Sequence, residues 1–339
     1  MTGQPTGRLG RVLSGVAGAA GMLAVITVAS RAVGFVRWFA QSATLGDSAT
    51  ANAYATAHML PNVLFEVAAG GALAGAVVPL LAAPLAHSMR RDVDRIASAL
   101  LTWCLAVLVP LGVLVALLAG PIVGLLPDSV GSDVESQRRL ATYFLRIFAV
   151  QIPLYGVGVV LTGVLQAQRR FFFPAIAPLA SSVVVIAAYV GFGALSGGQA
   201  DRPEELSRAA LDWLAWGTTL GVAAMSLPLL VPVRRTGVRL RPALRFPPGV
   251  GRRAAHLAAA GIGGLLAQQV ATVVFIVLAR GGGQVGTLNI WQYAQAVYFL
   301  PYAVLAVPVA TAVFPRLAEA AGTRDRRTFA AMAIGSTRS

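Results

Sequence analysis

Apolar residues run along the chain in long blocks, and the polar residues between them gather in short clusters. A helix that crosses a bilayer needs roughly 20 apolar residues at about 1.5 Å of rise each. On that measure the pattern predicts eight spans, at 14–41, 52–83, 97–126, 140–167, 173–196, 211–233, 254–279 and 289–315. Turn-forming stretches such as LGDSAT, PDSVGSD, SGGQADRPEE and RGGGQVG separate them. The expected fold class is all-α, a polytopic membrane protein with about eight transmembrane helices, because in lipid a helix satisfies its own backbone.

Composition agrees with the pattern. Of 339 residues, 57% are hydrophobic and 12% charged, against about 25% charged in a soluble domain. The net charge of +14 raises the possibility of a nucleic-acid partner, but no basic face with interleaved aromatics occurs. All 27 basic residues are arginine, and 19 of them fall on the side of the N-terminus when the spans alternate, with five opposite. Positive charge is retained on the cytoplasmic side. The expectation is therefore a multi-pass protein of a bacterial cytoplasmic membrane with its N-terminus inside. Arg8 and Arg11 precede an apolar run as in a signal peptide, but the run is long and no cleavage site closes it, so it reads as a retained helix. The five tryptophans lie near predicted span ends, as in an aromatic belt, and Cys104, the single cysteine, reads as a small core residue.

The sequence also echoes itself. LPNVLFEVAAGGALAGAVVPLLA in the second span resembles LPYAVLAVPVATAVFPRLA in the eighth, with Pro-to-Pro spacings of 18 and 14. Six helices separate the copies, so both run in the same direction. This predicts a cytoplasmic N-terminus at 1–13 and a six-helix N-terminal lobe at 14–233. A basic cytoplasmic link follows at 234–253, then the first two helices of an incomplete C-terminal lobe at 254–339. The seven arginines of the link suit anionic headgroups or topology anchoring. The chain is expected to be the N-terminal portion of something longer.

Little points to covalent chemistry. The histidines, His58, His87 and His256, are scattered without metal-ligand spacing, and there is no Walker phosphate loop. No enzyme activity, cofactor or metal is expected. The informative residues are polar ones inside spans. An arginine at mid-bilayer costs about 2.5–3.5 kcal/mol on the insertion scale, yet Arg31 and Arg37 sit in the first span, and Glu66 is the one acidic residue in a span interior. Counting rise from the helix midplanes places Arg31 roughly 4–5 Å and Glu66 about 3 Å toward the outer side, with Arg37 and His58 both roughly 14 Å out. The expectation is an Arg31–Glu66 pair lining a central cavity. Pro61 is a candidate helix break beside Asn62, since proline removes a backbone donor; Gly71 and Gly75 read as close-packing positions.

The stretches SRAVGFVR, LPNVLFEVAAGGALAGAVVP, YFLRIFAVQIPLYGVGVVLTGVLQAQRRFFFPAIAP and YAQAVYFLPYAVLAVPVATAVFPRLAEA, in this order, resemble the MurJ (MviN) family of lipid II flippases. That family lies within the multidrug, oligosaccharidyl-lipid and polysaccharide exporter superfamily. The resemblance implies two six-helix lobes around a V-shaped cavity. It implies a substrate, lipid II or a similar undecaprenyl-pyrophosphate-linked precursor, carried from inner to outer leaflet by alternating access for peptidoglycan synthesis and cell shape. Membrane lipids and cell-wall synthesis proteins are the implied partners. The family's first-helix cavity arginines map onto Arg31 and Arg37, which would hold the pyrophosphate. Substrate-contacting candidates are thus Arg31, Arg37, Glu66, Asn62 and His58. The chain departs from many relatives at Asn52, Phe65 and Ala296, while Glu66, Gly70 and Gly71 resemble the high-GC Gram-positive branch. Alternative functions are export of another lipid-linked glycan or of drugs, or a non-transporting scaffold for envelope assembly.

Overall fold

A computed structural model of the chain describes residues 7–66, 74–126, 134–282, 284 and 286–301. These form twelve α-helices and one 3-10 turn. The first span is α1, Gly7–Thr44, and a tight corner with Gly46 at φ 58° leads to Ser48, whose hydroxyl caps the next helix by accepting from the Ala51 N–H. The second span is divided between α2, Ala49–Phe65, and α3, Ala74–Ala86. The third is α4, Arg90–Leu117, with α5, Ala119–Gly124; the fourth is α6, Val134–Phe148, with α7, Gln151–Ala167. Then come α8, Phe172–Ser196, and α9, Arg208–Ser226, which continues through the 3-10 turn Leu227–Leu229 into α10, Leu230–Arg235. The last two are α11, Val250–Gly282, and α12, Thr287–Pro301. Four stretches, Arg90–Leu117, Val134–Ala167, Phe172–Ser196 and Arg208–Arg235, are long and apolar enough to cross a membrane, with shorter apolar helices beside them.

Prolines explain where the predicted spans divide. A proline clashes with the carbonyl four residues back and removes its donor. Pro121 so denies a bond to Leu117, the last residue of α4, and Pro153 to Ala149, in the turn between α6 and α7. Pro61 behaves differently. It lies inside α2, which continues to Phe65 and a wider turn at Glu66, so the break expected at Pro61 is replaced by a proline within an unbroken helix. The surrounding bonds hold one missing donor. Gly70 and Gly71, the end of the eighth span and most of its echo lie outside the described residues.

Helix directions follow from side-chain pairs. Ser30 Oγ donates to Ala175 O at 3.3 Å, and at the other end of α1 a Cβ placed on Gly193 would meet Thr44 Cγ2 at 3.0 Å, so α1 and α8 run parallel. Asn52 pairs with Gln137 at 3.0 Å and Asn62 with Tyr155 at 3.2 Å, which makes α2 parallel to α6 and α7. Where α4 crosses α7, a Cβ on Gly156 would fall 2.3 Å from Leu108 Cδ1 and 2.5 Å from Cys104 Sγ, so the absent side chain is what lets these helices touch. Cys104 is buried there, as a core residue. The centre of the helical packing is aromatic: Tyr54, Phe144, Phe148, Tyr189 and Phe192 are all fully buried, with Tyr54 edge-on to Phe144 and Phe148 at 5.9 and 5.5 Å.

The segment after α10 is extended and lies along α4. The N–H groups of Arg239, Arg241 and Ala243 donate to Asp94 Oδ1, Ser98 Oγ and Thr102 Oγ1 at 3.0, 3.1 and 3.0 Å. Two extended residues advance about 6.6 Å and four helical residues about 6.0 Å, so alternate link residues match every fourth residue of the helix. Trp103 Nε1 closes the row on Leu244 O at 3.0 Å. Asp212, at the edge of the sixth predicted span, is a further carboxylate within a helix and accepts a bond from Tyr143.

Candidate functional site

A cavity of about 790 Å³ opens where the first, second, fourth and fifth spans face α11 and α12. Helical spacing decides what reaches it. On α2 the residues Tyr54, His58, Asn62 and Glu66 recur every four positions and form one polar stripe along the cavity wall. On α1 the lining residues are Arg37, Trp38 and Gln41; across from them α7 and α8 contribute Tyr155, Ser181 and Tyr189. The wall from α11 and α12 carries Gln269, Phe275, Trp291, Gln292 and Gln295.

Arg37 lies with its guanidinium carbon 5.4 Å from the Trp38 ring centroid. Its Nε is buried with no acceptor, and among the described residues no carboxylate forms an ion pair with it. His58 stacks on Tyr54 at 5.6 Å and meets Phe148 edge-on at 5.5 Å, leaving Nδ1 buried and unpartnered. Asn62 accepts from the Tyr155 hydroxyl at 3.2 Å. The Glu66 carboxylate accepts a hydrogen bond from Gln269 Nε2, joining α2 to α11, while Gln269 Oε1 is buried without a donor.

The expected Arg31–Glu66 pair is not formed among the described residues, and Arg31 does not line the cavity. Six residues advance a helix by about 600°, so Arg31 points roughly 120° away from Arg37 around α1. The structure places Arg37, His58, Asn62 and Glu66 around one cavity; a count of rise along each helix paired Arg31 with Glu66 because it says nothing about azimuth. Reading only charged residues also overlooked the amides and aromatics, Gln41, Tyr54, Gln269, Gln292, Gln295, Trp38 and Trp291. A spacing-of-four test would have found Tyr54. The paired glutamines inside the apolar run LLAQQVATVV were the visible mark of Gln269.

Residues 41–338 match the family described as Lipid II flippase MurJ. The chain belongs to this family. Among its relatives, a probable lipid II flippase MurJ from Rhizobium meliloti (strain 1021) is 30% identical over 301 residues, covering 87% of this chain and 53% of the relative. The lipid II flippase MurJ of Burkholderia cenocepacia is 28% identical, covering 90% and 58%. A solved structure of a lipid II flippase MurJ in an inward closed conformation superimposes with a TM-score of 0.69 at 21% identity, over 90% of this chain and 59% of that one. The chain thus spans about half the length of the curated MurJ relatives it matches, and shares the helical fold of the solved MurJ over most of its own length.

Proposed function

We propose that this chain forms the N-terminal lobe and much of the headgroup cavity of a lipid II flippase in the bacterial cytoplasmic membrane, with its N-terminus on the cytoplasmic side. The cavity seats the polar headgroup while the polyprenyl tail stays in lipid, and rocking of the lobes carries the headgroup between leaflets. No bond is made or broken. Arg37 is the residue that takes the pyrophosphate, since a planar guanidinium offers paired donors to phosphate oxygens. Arg31, on another face of α1, has no such role in this arrangement. Membrane lipids, and proteins of cell-wall synthesis on the exported product's side, are the partners this role entails.

The observation that supports this reading is an arginine on the wall of a central cavity that forms no ion pair among the described residues and whose Nε is buried without an acceptor, in a chain of this family. A buried arginine without a counter-ion is costly, and a phosphate ligand removes the cost. The test is binding of lipid II to the full chain in lipid nanodiscs. Arg37→Ala is expected to weaken binding by about tenfold or more, the worth of one lost charge-assisted interaction; Arg31→Ala is expected to leave it within about twofold. Unchanged affinity in Arg37→Ala would remove Arg37 from the site.

A further inference from the structure

We infer that Glu66 receives a cationic group of the transported headgroup, so that the cavity selects lipid-linked substrates bearing an ammonium as well as a phosphate; this rests on the cavity being a headgroup seat. Among the described residues lining the cavity, Glu66 is the one carboxylate and Arg37 the one arginine. The two do not neutralise each other by contact: no ion pair links them. Arg37 and His58 both count to roughly 14 Å outward of their helix midplanes, whereas Glu66 lies eight residues beyond His58 on the α2 stripe, about 12 Å further along the helix. The cavity therefore holds a positive and a negative pole at different levels.

The surroundings of Glu66 call for a donor. A carboxylate offers about four acceptor positions, and the contact identified on this one is a single neutral amide N–H from Gln269. The same Gln269 is 4% exposed and its Oε1 has no donor. Glu66 is exposed and lines the cavity, so its remaining acceptor positions face that space, while Gln269 Oε1 is closed off within the packing. An ammonium carries three donors and no acceptor, and it complements the Glu66 carboxylate. A phosphate at Arg37 and an amine at Glu66 would together fix the headgroup's orientation, which two charges of one sign could not do.

The test compares two lipid-linked substrates on the full chain in nanodiscs, lipid II with the free side-chain amine of its peptide and the same lipid with that amine acetylated. The variant is Glu66→Gln, whose side-chain oxygen still accepts the hydrogen bond from Gln269 Nε2 and so separates charge from bridging. Wild type is expected to prefer the free amine by about tenfold, and Glu66→Gln to bind both lipids equally, at the acetylated level. Retained binding of the acetylated lipid shows that the variant is folded. A preference that survives in Glu66→Gln, or its absence in wild type, overturns the role of Glu66. Binding of neither lipid by wild type overturns the headgroup seat itself, and the present inference with it.

Discussion

Tyr54 shows how much a single buried hydroxyl can be worth. It contacts Tyr189 Oη at 3.0 Å and Thr218 Oγ1 at 3.1 Å, while Tyr189 reaches Gln41 Oε1 at 3.1 Å and Thr218 reaches Leu214 O at 2.7 Å. Gln41 Oε1 and Leu214 O can only accept. Three hydroxyl protons therefore serve four contacts, and one contact is always without a proton. Removing the Tyr54 hydroxyl leaves two protons for two contacts, both satisfied. Tyr54→Phe is accordingly expected to cost about 0.5–1 kcal/mol, at the low end for a buried hydrogen bond, not the 1–3 kcal/mol of a stranded partner. Denaturation of the purified variant in detergent checks this, and a loss above about 3 kcal/mol would mean that the network is organised differently. Arg37 and Glu66 stand out as charges against an apolar background, so composition alone pointed to them. Tyr54 did not stand out, because a tyrosine in an apolar run looks like any other core aromatic.

The link from Val238 to Pro247 is an element that the sequence represents poorly. The seven arginines of residues 234–253 read as a solvated or headgroup-facing tether, yet the backbone of 238–247 is held to α4 through Asp94, Ser98 and Thr102. No periodicity within the link announces this; the match lies between its two-residue step and the four-residue step of a helix more than a hundred positions earlier. Ser98→Ala together with Thr102→Val removes two of the three acceptors. At about 1 kcal/mol each, the loss is expected to raise the open population by roughly tenfold or more. Limited trypsin digestion reads it as faster cleavage after Arg239 and Arg245, and an unchanged rate would mean that the link is held elsewhere. The proline breaks are the opposite case. Pro121 and Pro153 were visible in the sequence, but so were Pro61 and Pro110, which sit inside continuous helices. Which carbonyl loses its donor is readable; whether the neighbouring helices tolerate that loss is not.

The parallel pairs α1 with α8 and α2 with α7 constrain the whole assembly. Parallel contact between the first and fifth spans, and between the second and fourth, is what alternating crossings require. The corner at Gln199, after α8, and the link at Arg245, beyond α9 and α10, therefore occupy opposite ends of the lobe. In a Cys104→Ser background, Gln199→Cys is expected to react with a membrane-impermeant maleimide on intact cells, and Arg245→Cys only after permeabilisation. Both positions are exposed. The same labelling at both would contradict the proposed orientation.

Fold class and site therefore have different origins. Hydrophobic run length marked the chain as a helical membrane protein, because every backbone group in lipid must be satisfied within its own helix, and that demand is local. The bias of the arginines carried the expected orientation for a similar reason, since charge is retained next to where it sits in the chain. The partner of Glu66 and the direction of Arg31 were beyond such reasoning. Whether two polar residues meet depends on the rotation of each helix about its axis, and that is decided by contacts such as Leu108 and Cys104 against Gly156, which belong to the packed lobe as a whole. So the chain itself announced a helical membrane protein with charges in its spans, while packing turned Arg37 toward the cavity, turned Arg31 away, and handed Glu66 to Gln269.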